Sequence, residues 1–420
     1  MKKPHLPKLN TFPSKNLNII VVIPCHDETN LLASLQALRN CDASTCAVEV
    51  IVVINHSENS DISVKQQNEN TFLAAQKWIT NTQQPTDFIQ FYLIKAFDLP
   101  KKHAGVGLAR KIGMDEAAFR LHQINRPKGI IACFDADSLC QKNYFVALEK
   151  HFIENPKNSA CSIYFEHDIT GNEYDENVYK AIILYELHLR YYVHALRFAN
   201  FPYAYQTIGS SMAVRAKDYL KQGGMNRRKA GEDFYFLHKF IPLGTFTELK
   251  ETIMLPSSRP SHRVPFGTGK AVQDILDKKK MEEHYPTYHF QIFQDLKVFL
   301  SQTDDFYLAK QKEEVQKLLD AMPKSIQMFL EKNHFEAKLQ EIQNNTTNLA
   351  SFRKRFFHWF SAFIALKYVH FARDNFYPNI SVTIAAKWLL EHYFFTTKAS
   401  ENSKNLLLSF REIDKKQAQA

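Results

Sequence analysis

Two short acidic stretches carry the chemistry of this sequence. F-D-A-D-S sets Asp135 and Asp137 one residue apart, where the apolar run 130–134 ends. G-E-D-F sets Glu232 and Asp233 side by side. Carboxylates spaced this way can hold an oxygen-seeking divalent cation, can move protons, or can sit before a helix and do no more than complement its dipole. The run N-Y-F-V-A-L-E-K-H-F after Asp137 has helical composition, so capping is open for the first pair. A nucleophilic aspartate of the haloacid-dehalogenase kind would need Asp-x-Asp directly after the first strand. The first strand ends instead in I-P-C-H-D-E-T, which does not fit.

The surrounding pattern says what positions these acids. Apolar runs at 17–24, 48–54, 88–97 and 129–134 read as strands. Helical stretches lie between them at 28–39, near 70–80 and at 105–122. Such alternation predicts a Rossmann-like α/β domain with a mostly parallel sheet covered on both faces. Ligands bind such sheets beyond the carboxyl ends of the strands, where Asp135 and Asp137 fall. After residue 142 the pattern is mixed: a strand in S-A-C-S-I-Y-F, a long aromatic helix over 175–199, a strand-like run at 207–216 and a helix starting at G-E-D-F. From about residue 273 helical patterns dominate and glycine is absent. The expected division is a loose arm at 1–16, an α/β domain at 17–275 and an α-helical C-terminal region at 276–420.

Composition narrows the class. With 45% apolar and 23% charged residues, the chain can build an ordinary folded core. No run of 18 apolar residues offers a membrane span, and the first residues lack an apolar signal core. A cytoplasmic location is the expectation, with peripheral contact at the inner membrane face an option. Six cysteines without a C-x-x-C pair read as buried free thiols. The net charge of +9 suits anionic partners such as nucleotides or anionic lipid, but it is spread along the chain, and no nucleic-acid partner is expected. The 33 phenylalanines predict an aromatic core.

Five motifs in order resemble a known family. V-V-I-P-C-H-D-E, V-E-V-I-V-V-I-N-H-S-E-N-S-D, G-V-G-L-A-R-K-I-G-M-D-E-A, F-D-A-D-S and G-S-S-M-A-V-R-A…G-E-D-F-Y-F together resemble a family 2 glycosyltransferase with the GT-A nucleotide-sugar-binding fold. The resemblance spans roughly residues 17–270. It implies a transferase that moves a sugar from a nucleotide-diphosphate donor to a hydroxyl acceptor, with inversion and Mn²⁺ or Mg²⁺ as cofactor. Asp137 would bind the metal, and Asp135 would contact the ribose or the metal's water shell. Asp233 would be the general base, oriented by Glu232. Pro24, His26 and Glu28 would border the nucleobase and ribose. The family usually places aspartate in the second turn, where this sequence has Ile54 and Asn55, so Asn55 is the remaining candidate there and the base is left open.

Lys101, Lys102, His103 and Arg110 cluster around Gly105 and Gly107, with Arg110 the preferred phosphate or base contact. The loop S-S-R-P-S-H-R-V-P-F-G-T-G-K offers Arg259 and Arg263 for the diphosphate and His262 as a third metal ligand. The aromatic helix could stack an acceptor, although core packing explains it equally. The stretch 351–373 mixes basic flanks with a bulky apolar stripe and could lie on an anionic membrane. Lack of membrane spans favours single addition over processive synthesis. A sugar-nucleotide pyrophosphorylase would want a glycine- and arginine-rich first loop, and a non-catalytic nucleotide-sugar-binding protein would not need both acid pairs. Oligomeric state is not legible.

Overall fold

The computed structural model describes residues 7–263, 267–277, 285–396 and 398–416. These residues form two compact units. The first takes the described residues of Met1–Gly171 and Thr207–Gln273; the second takes Asn172–Gln206 and those of Asp274–Gln417. The long aromatic helix, assigned by sequence to the first domain, therefore belongs with the C-terminal helices.

In the first unit, strands and helices alternate as expected: β1 (Leu17–Cys25), α1 (Leu31–Arg39), β2 (Ala47–Ser57), α2 (Ile62–Thr82), β3 (Ile89–Leu99), α3 (Val106–Gln123) and β4 (Ile130–Cys133). These four strands run parallel in the order β3-β2-β1-β4. β1, β2 and β4 are buried almost throughout, which explains their unbroken Ile/Val content. Beyond β4 come β5 (Leu139–Cys140), α4 (Tyr144–Glu154), β6 (Ala160–Phe165), then α5 (Glu176–Phe198) of the second unit, and again in the first unit β7 (Met212–Arg215), α6 (Ala216–Lys221), α7 (Glu232–Leu237) and β8 (Phe246–Leu255). The sheet continues β4-β7-β6-β8-β5, with β7 antiparallel to β4 and β6, and β5 antiparallel to β8. Strand order reverses direction at β1, so the crevice past the ends of β1 and β4 is the place where such sheets bind ligands.

Residues 7–16 run along α3. The Lys8 and Leu9 amides donate to the Glu116 carboxylate, and Arg120 donates to the Thr11 carbonyl at 2.7 Å. Arg120 also forks onto Glu49 with two bonds of 2.6 and 2.7 Å, both side chains buried. All six cysteines are free thiols, five of them buried.

The second unit is helical. The helix Glu176–Phe198 packs with the helices Val382–His392 and Ser403–Lys416. Phenylalanines 299, 306, 335 and 356 form a ring-on-ring core, with centroids 5.1 Å apart for Phe306–Phe335 and 5.7 Å for Phe299–Phe335. The stretch 351–373 lies mostly in the helices Leu349–Trp359 and Ala362–Asn375. Its apolar stripe (Phe352, Phe356, Ala365, Tyr368, Val369) is buried, while Arg353, Lys354 and Arg355 are exposed. Tyr179 and Tyr191 are likewise buried. Among the described residues, no helix is long and apolar enough to cross a membrane.

Candidate active site

The site is built where β1, β2 and β4 end. Asp135 follows β4 after one residue, Phe134, and Glu232 and Asp233 lie in the first turn of α7. Arg110 on α3 joins the two. Its guanidinium donates to Asp135 Oδ1 at 2.7 Å and pairs with Glu232 Oε1. The acid pair of β4 and the acid pair of α7, almost a hundred residues apart in sequence, therefore share one cation.

Arg110 is 2% exposed and its guanidinium is committed to these carboxylates. That commitment makes it a positioning group for the acids, where sequence expected a phosphate or base contact. A Cβ on Gly209 would meet its Nη1 at 2.8 Å, so the glycine makes room for the guanidinium. Gly107 also differs from expectation. A Cβ there would lie 2.2 Å from the Arg228 carbonyl oxygen, so the small residue admits the segment that leads into α7.

Asp233 accepts from the Phe234 amide at 2.7 Å. Burial and the neighbouring Glu232 charge push its carboxyl up to about 7, against the opposing pull of Arg110. A carboxylate held near neutrality is what proton abstraction at physiological pH requires. Glu232 is buried and pairs through Oε1 with Arg110.

On the other flank, Asp137 faces two arginines, with Arg259 Nη2 at 3.3 Å and Arg263 Nη2 at 3.5 Å. Both also bind Glu28: Arg259 through both terminal nitrogens, at 3.2 and 2.5 Å, and Arg263 at 3.0 Å. Glu28 is 1% exposed. Burial alone would raise its pKa, but the Arg259 hydrogen bond, the Asn30 amide and Arg263 together hold it below the usual carboxylate range. Asp137 goes the other way. Burial, then the charges of Asp135 and Glu28, push it up to about 6 despite both arginines.

That crowding of carboxylates bears on the expected cation. Asp135 and Asp137 offer hard oxygen donors, and the crowding of carboxylates that lifts the Asp137 pKa suits a divalent ion. Mg²⁺ and Mn²⁺ commonly take one or two carboxylates and complete their shell with phosphate and water, and this pair fits that mode. No group of three His, Cys, Asp or Glu side chains able to hold a metal forms among the described residues. His262, between Arg259 and Arg263 in the chain, is exposed and enters no described hydrogen bond or ion pair.

The loop after β1 is held from behind. His26 is exposed, with its Nδ1 2.8 Å from the Asn55 carbonyl oxygen. Pro24 is buried within β1, in register with Val53. Asn55 is 2% exposed and its amide donates to the Cys25 carbonyl at 2.9 Å. It ties β2 to β1, where sequence left a nucleotide contact open. Asp27 takes φ 51°, a left-handed conformation that needs support. Asn68 supplies it: fully buried, it accepts from the Asp27 amide at 2.8 Å and donates to the Asn55 carbonyl at 2.9 Å. Thr71 donates to the Glu28 carbonyl at 2.7 Å. Sequence reasoning passed over both residues. Their signal was two polar residues three apart on a helix, a pattern that usually faces solvent.

No protein-family model matches the chain, and no curated protein matches it. Comparison with solved structures finds Staphylococcus aureus TarS. The fragment 1–349 of TarS in complex with UDP-GlcNAc is 11% identical, with a TM-score of 0.41, over 82% of this chain and 92% of that one. The same fragment in complex with UDP gives 12% identity and 0.41, over 82% and 91%. A longer TarS structure gives 13% and 0.40, over 78% of this chain and 54% of that one. Scores this low carry no argument about the chemistry of this chain.

Proposed function

We propose that the first unit is a glycosyltransferase that moves a sugar from a nucleotide-diphosphate donor to an acceptor hydroxyl, by single addition and with inversion. The observation that carries this reading is the Arg110 bridge, which sets the acids at the end of β4 and the acids of α7 around one guanidinium. Asp233 takes the proton from the acceptor hydroxyl as that oxygen attacks the anomeric carbon. Glu232, paired with Arg110, keeps α7 in place, and its charge helps to raise the Asp233 carboxyl. The departing diphosphate gathers negative charge. Arg259 and Arg263 stand beside Asp137 on that flank and can turn their guanidinium faces to phosphate. Asp137 with Asp135 would hold Mg²⁺ or Mn²⁺, which would supply further positive charge to the leaving group.

Nucleotidyl transfer on a sugar phosphate is a weaker reading, because the loop Pro24–Glu28 lacks the glycines and arginines that would wrap a triphosphate. The test is a thermal-shift panel of nucleotide sugars with and without Mn²⁺. The matching donor at about a hundred times its Kd should stabilise the protein by about 2.7 kcal/mol. Failure of every nucleotide sugar to shift the transition would sink the proposal.

A further inference from the structure

Two of the six thiols face each other near the acids of β4. Cys41 stands two residues past the end of α1, and Cys140 is the last residue of β5. They are 99 residues apart in the chain, yet their sulfurs lie 3.6 Å from each other. The backbones run side by side there. The Asp42 amide donates to the Lys142 carbonyl at 2.7 Å, and the Cys41 thiol lies 3.7 Å from the Gln141 carbonyl oxygen. Among the described residues no other two thiols come within hydrogen-bonding reach. Cys25, Cys133 and Cys161 are fully buried. Cys140 is half-buried, and Cys41, itself buried, is followed by the exposed Asp42 and Ala43. A small reagent therefore has a short path to this pair.

A disulfide holds its sulfurs about 2.05 Å apart, so closing this pair takes roughly 1.5 Å of approach. β5 can yield part of it, because it is two residues long and is paired only with β8. The hydrogen bond with Cys41, and burial after it, push the Cys140 thiol far up, so at rest it keeps its proton. Oxidation of Cys41 removes the larger of these causes and readies Cys140 to act second. With a peroxide, Cys41 attacks the O–O bond, becomes a sulfenic acid and releases one water. Cys140 then attacks that sulfur, and the hydroxyl leaves with the Cys140 proton as a second water. With a small disulfide, Cys41 takes one half of the reagent and Cys140 displaces it, so that two reagent thiols leave. In both routes two protein thiols are oxidised and one two-electron oxidant is reduced.

α1 joins this dithiol to the flank assigned to the donor. Glu28, which binds Arg259 and Arg263, precedes the helix by three residues. Midway along it, Ser34 Oγ lies 2.9 Å from the Ala136 carbonyl oxygen and 2.8 Å from that of Ser138. Those two carbonyls stand on either side of Asp137, and Ser34 is buried. Cys140 follows Asp137 by three residues. The loop that carries both aspartates is thus fixed to the middle of α1, and the sulfurs meet where helix and loop both end. Drawing them together moves the two anchors of the loop against each other.

We infer that Cys41 and Cys140 are an oxidative modification site: a peroxide or a small disulfide closes them to an intramolecular disulfide, which shifts the Asp135–Ser138 loop and lowers activity until it is reduced. Formation of the bond rests on the positions of the sulfurs. Its effect on activity rests on the transferase reading above.

The test treats the reduced full chain with hydrogen peroxide in one arm and oxidised glutathione in the other. The expected product is a chain lighter by two hydrogen atoms. Its non-reduced peptide map joins the Cys41 and Cys140 peptides, and dithiothreitol reverses the change. Closure in one arm alone identifies the oxidant. With the matching donor, kcat/KM should fall about tenfold on closure and recover on reduction. Cys41→Ser and Cys140→Ser should each keep wild-type turnover when reduced and lose the response to oxidant. A map without the cross-link in either arm overturns the inference, as does a lasting glutathione adduct on Cys41. A cross-linked protein with unchanged kcat/KM overturns the effect on activity. Absence of donor binding by the reduced protein is a different failure, and it falls on the transferase reading. The peptide map then still decides the disulfide, and hydrogen exchange of residues 135–140 before and after closure decides the loop: unchanged exchange overturns its shift.

Discussion

Both units bury networks of arginines and carboxylates, and the one around Asp414 differs in balance from the one around Arg110. In the helical unit, Glu186 accepts from Arg190 at 2.8 Å and from Arg411 at 2.8 and 2.7 Å. Asp414 pairs with Arg190 and takes His194 Nε2 at 2.7 Å. Two acids face three arginines, with Arg197 Nη1 3.8 Å from Asp414, and a histidine; against the cost of burial His194, Arg190 and Arg197 hold Asp414 far below the usual carboxylate range. In the α/β unit a single guanidinium serves Asp135 and Glu232, with Asp233 alongside, and Asp233 is driven up. A balanced network fastens the C-terminal helix to the helix Glu176–Phe198. An acid-rich one holds the Asp233 carboxyl well above the usual carboxylate range.

The largest effect that would break this contrast is in turnover. Asp233→Asn should lower kcat about 10²–10⁴-fold with donor Kd unchanged, measured by transfer rate and calorimetric titration. Near-normal turnover would end the base assignment. Next comes stability. Asp414→Leu takes one of the two carboxylates of Arg190 and the partner of His194 in the interior, and should cost about 3–5 kcal/mol in urea unfolding. The pH dependence sharpens the comparison. With Asp233 near 7, kcat/KM should rise about tenfold per pH unit below pH 7 and level off above it.

Linkage gives the two acids opposite signs. Asp414 has a depressed folded pKa, so its stabilisation is present above about pH 4, the unfolded value, and fades as pH falls. Asp233 has a raised folded pKa. Between about pH 4 and 7 the folded form keeps a proton that the unfolded chain has released, so stability declines as pH climbs through that window. Asp233→Asn should therefore stabilise the protein at pH 8 while it abolishes transfer, by a few kcal/mol at most. A destabilised Asn variant would refute the poised-acid account. The smallest effect is at the loop. Asn68→Ala, which removes both supports of the Asp27 conformation, should cost about 1–3 kcal/mol and raise donor KM.

Much of this was legible in the sequence. β1, β2 and β4 announced themselves because both sheet faces are covered, which demands uninterrupted apolar residues. Asp135, Asp137, Glu232 and Asp233 were visible because acids directly after an apolar strand or at the start of a helix stand out. β8 was not foreseen. Its sequence F-T-E-L-K-E-T-I-M-L alternates buried positions with Glu248, Lys250 and Glu251 and reads as polar. The reversed direction of β7 leaves no mark in composition. Nor does the role of Arg110, whose partners lie 25 and 122 residues away. The placement of the helix Glu176–Phe198 was hidden for the same reason, since its network partners lie more than two hundred residues downstream.

The contact between Gly107 and the Arg228 carbonyl has a wider meaning. It is a seam without slack between the helix that carries Arg110 and the strap that delivers Asp233. One methyl group there would wedge the strap outward and move Asp233 away from the acids at the end of β4. The spacing of the two acid pairs is thus set by the absence of a side chain at one position.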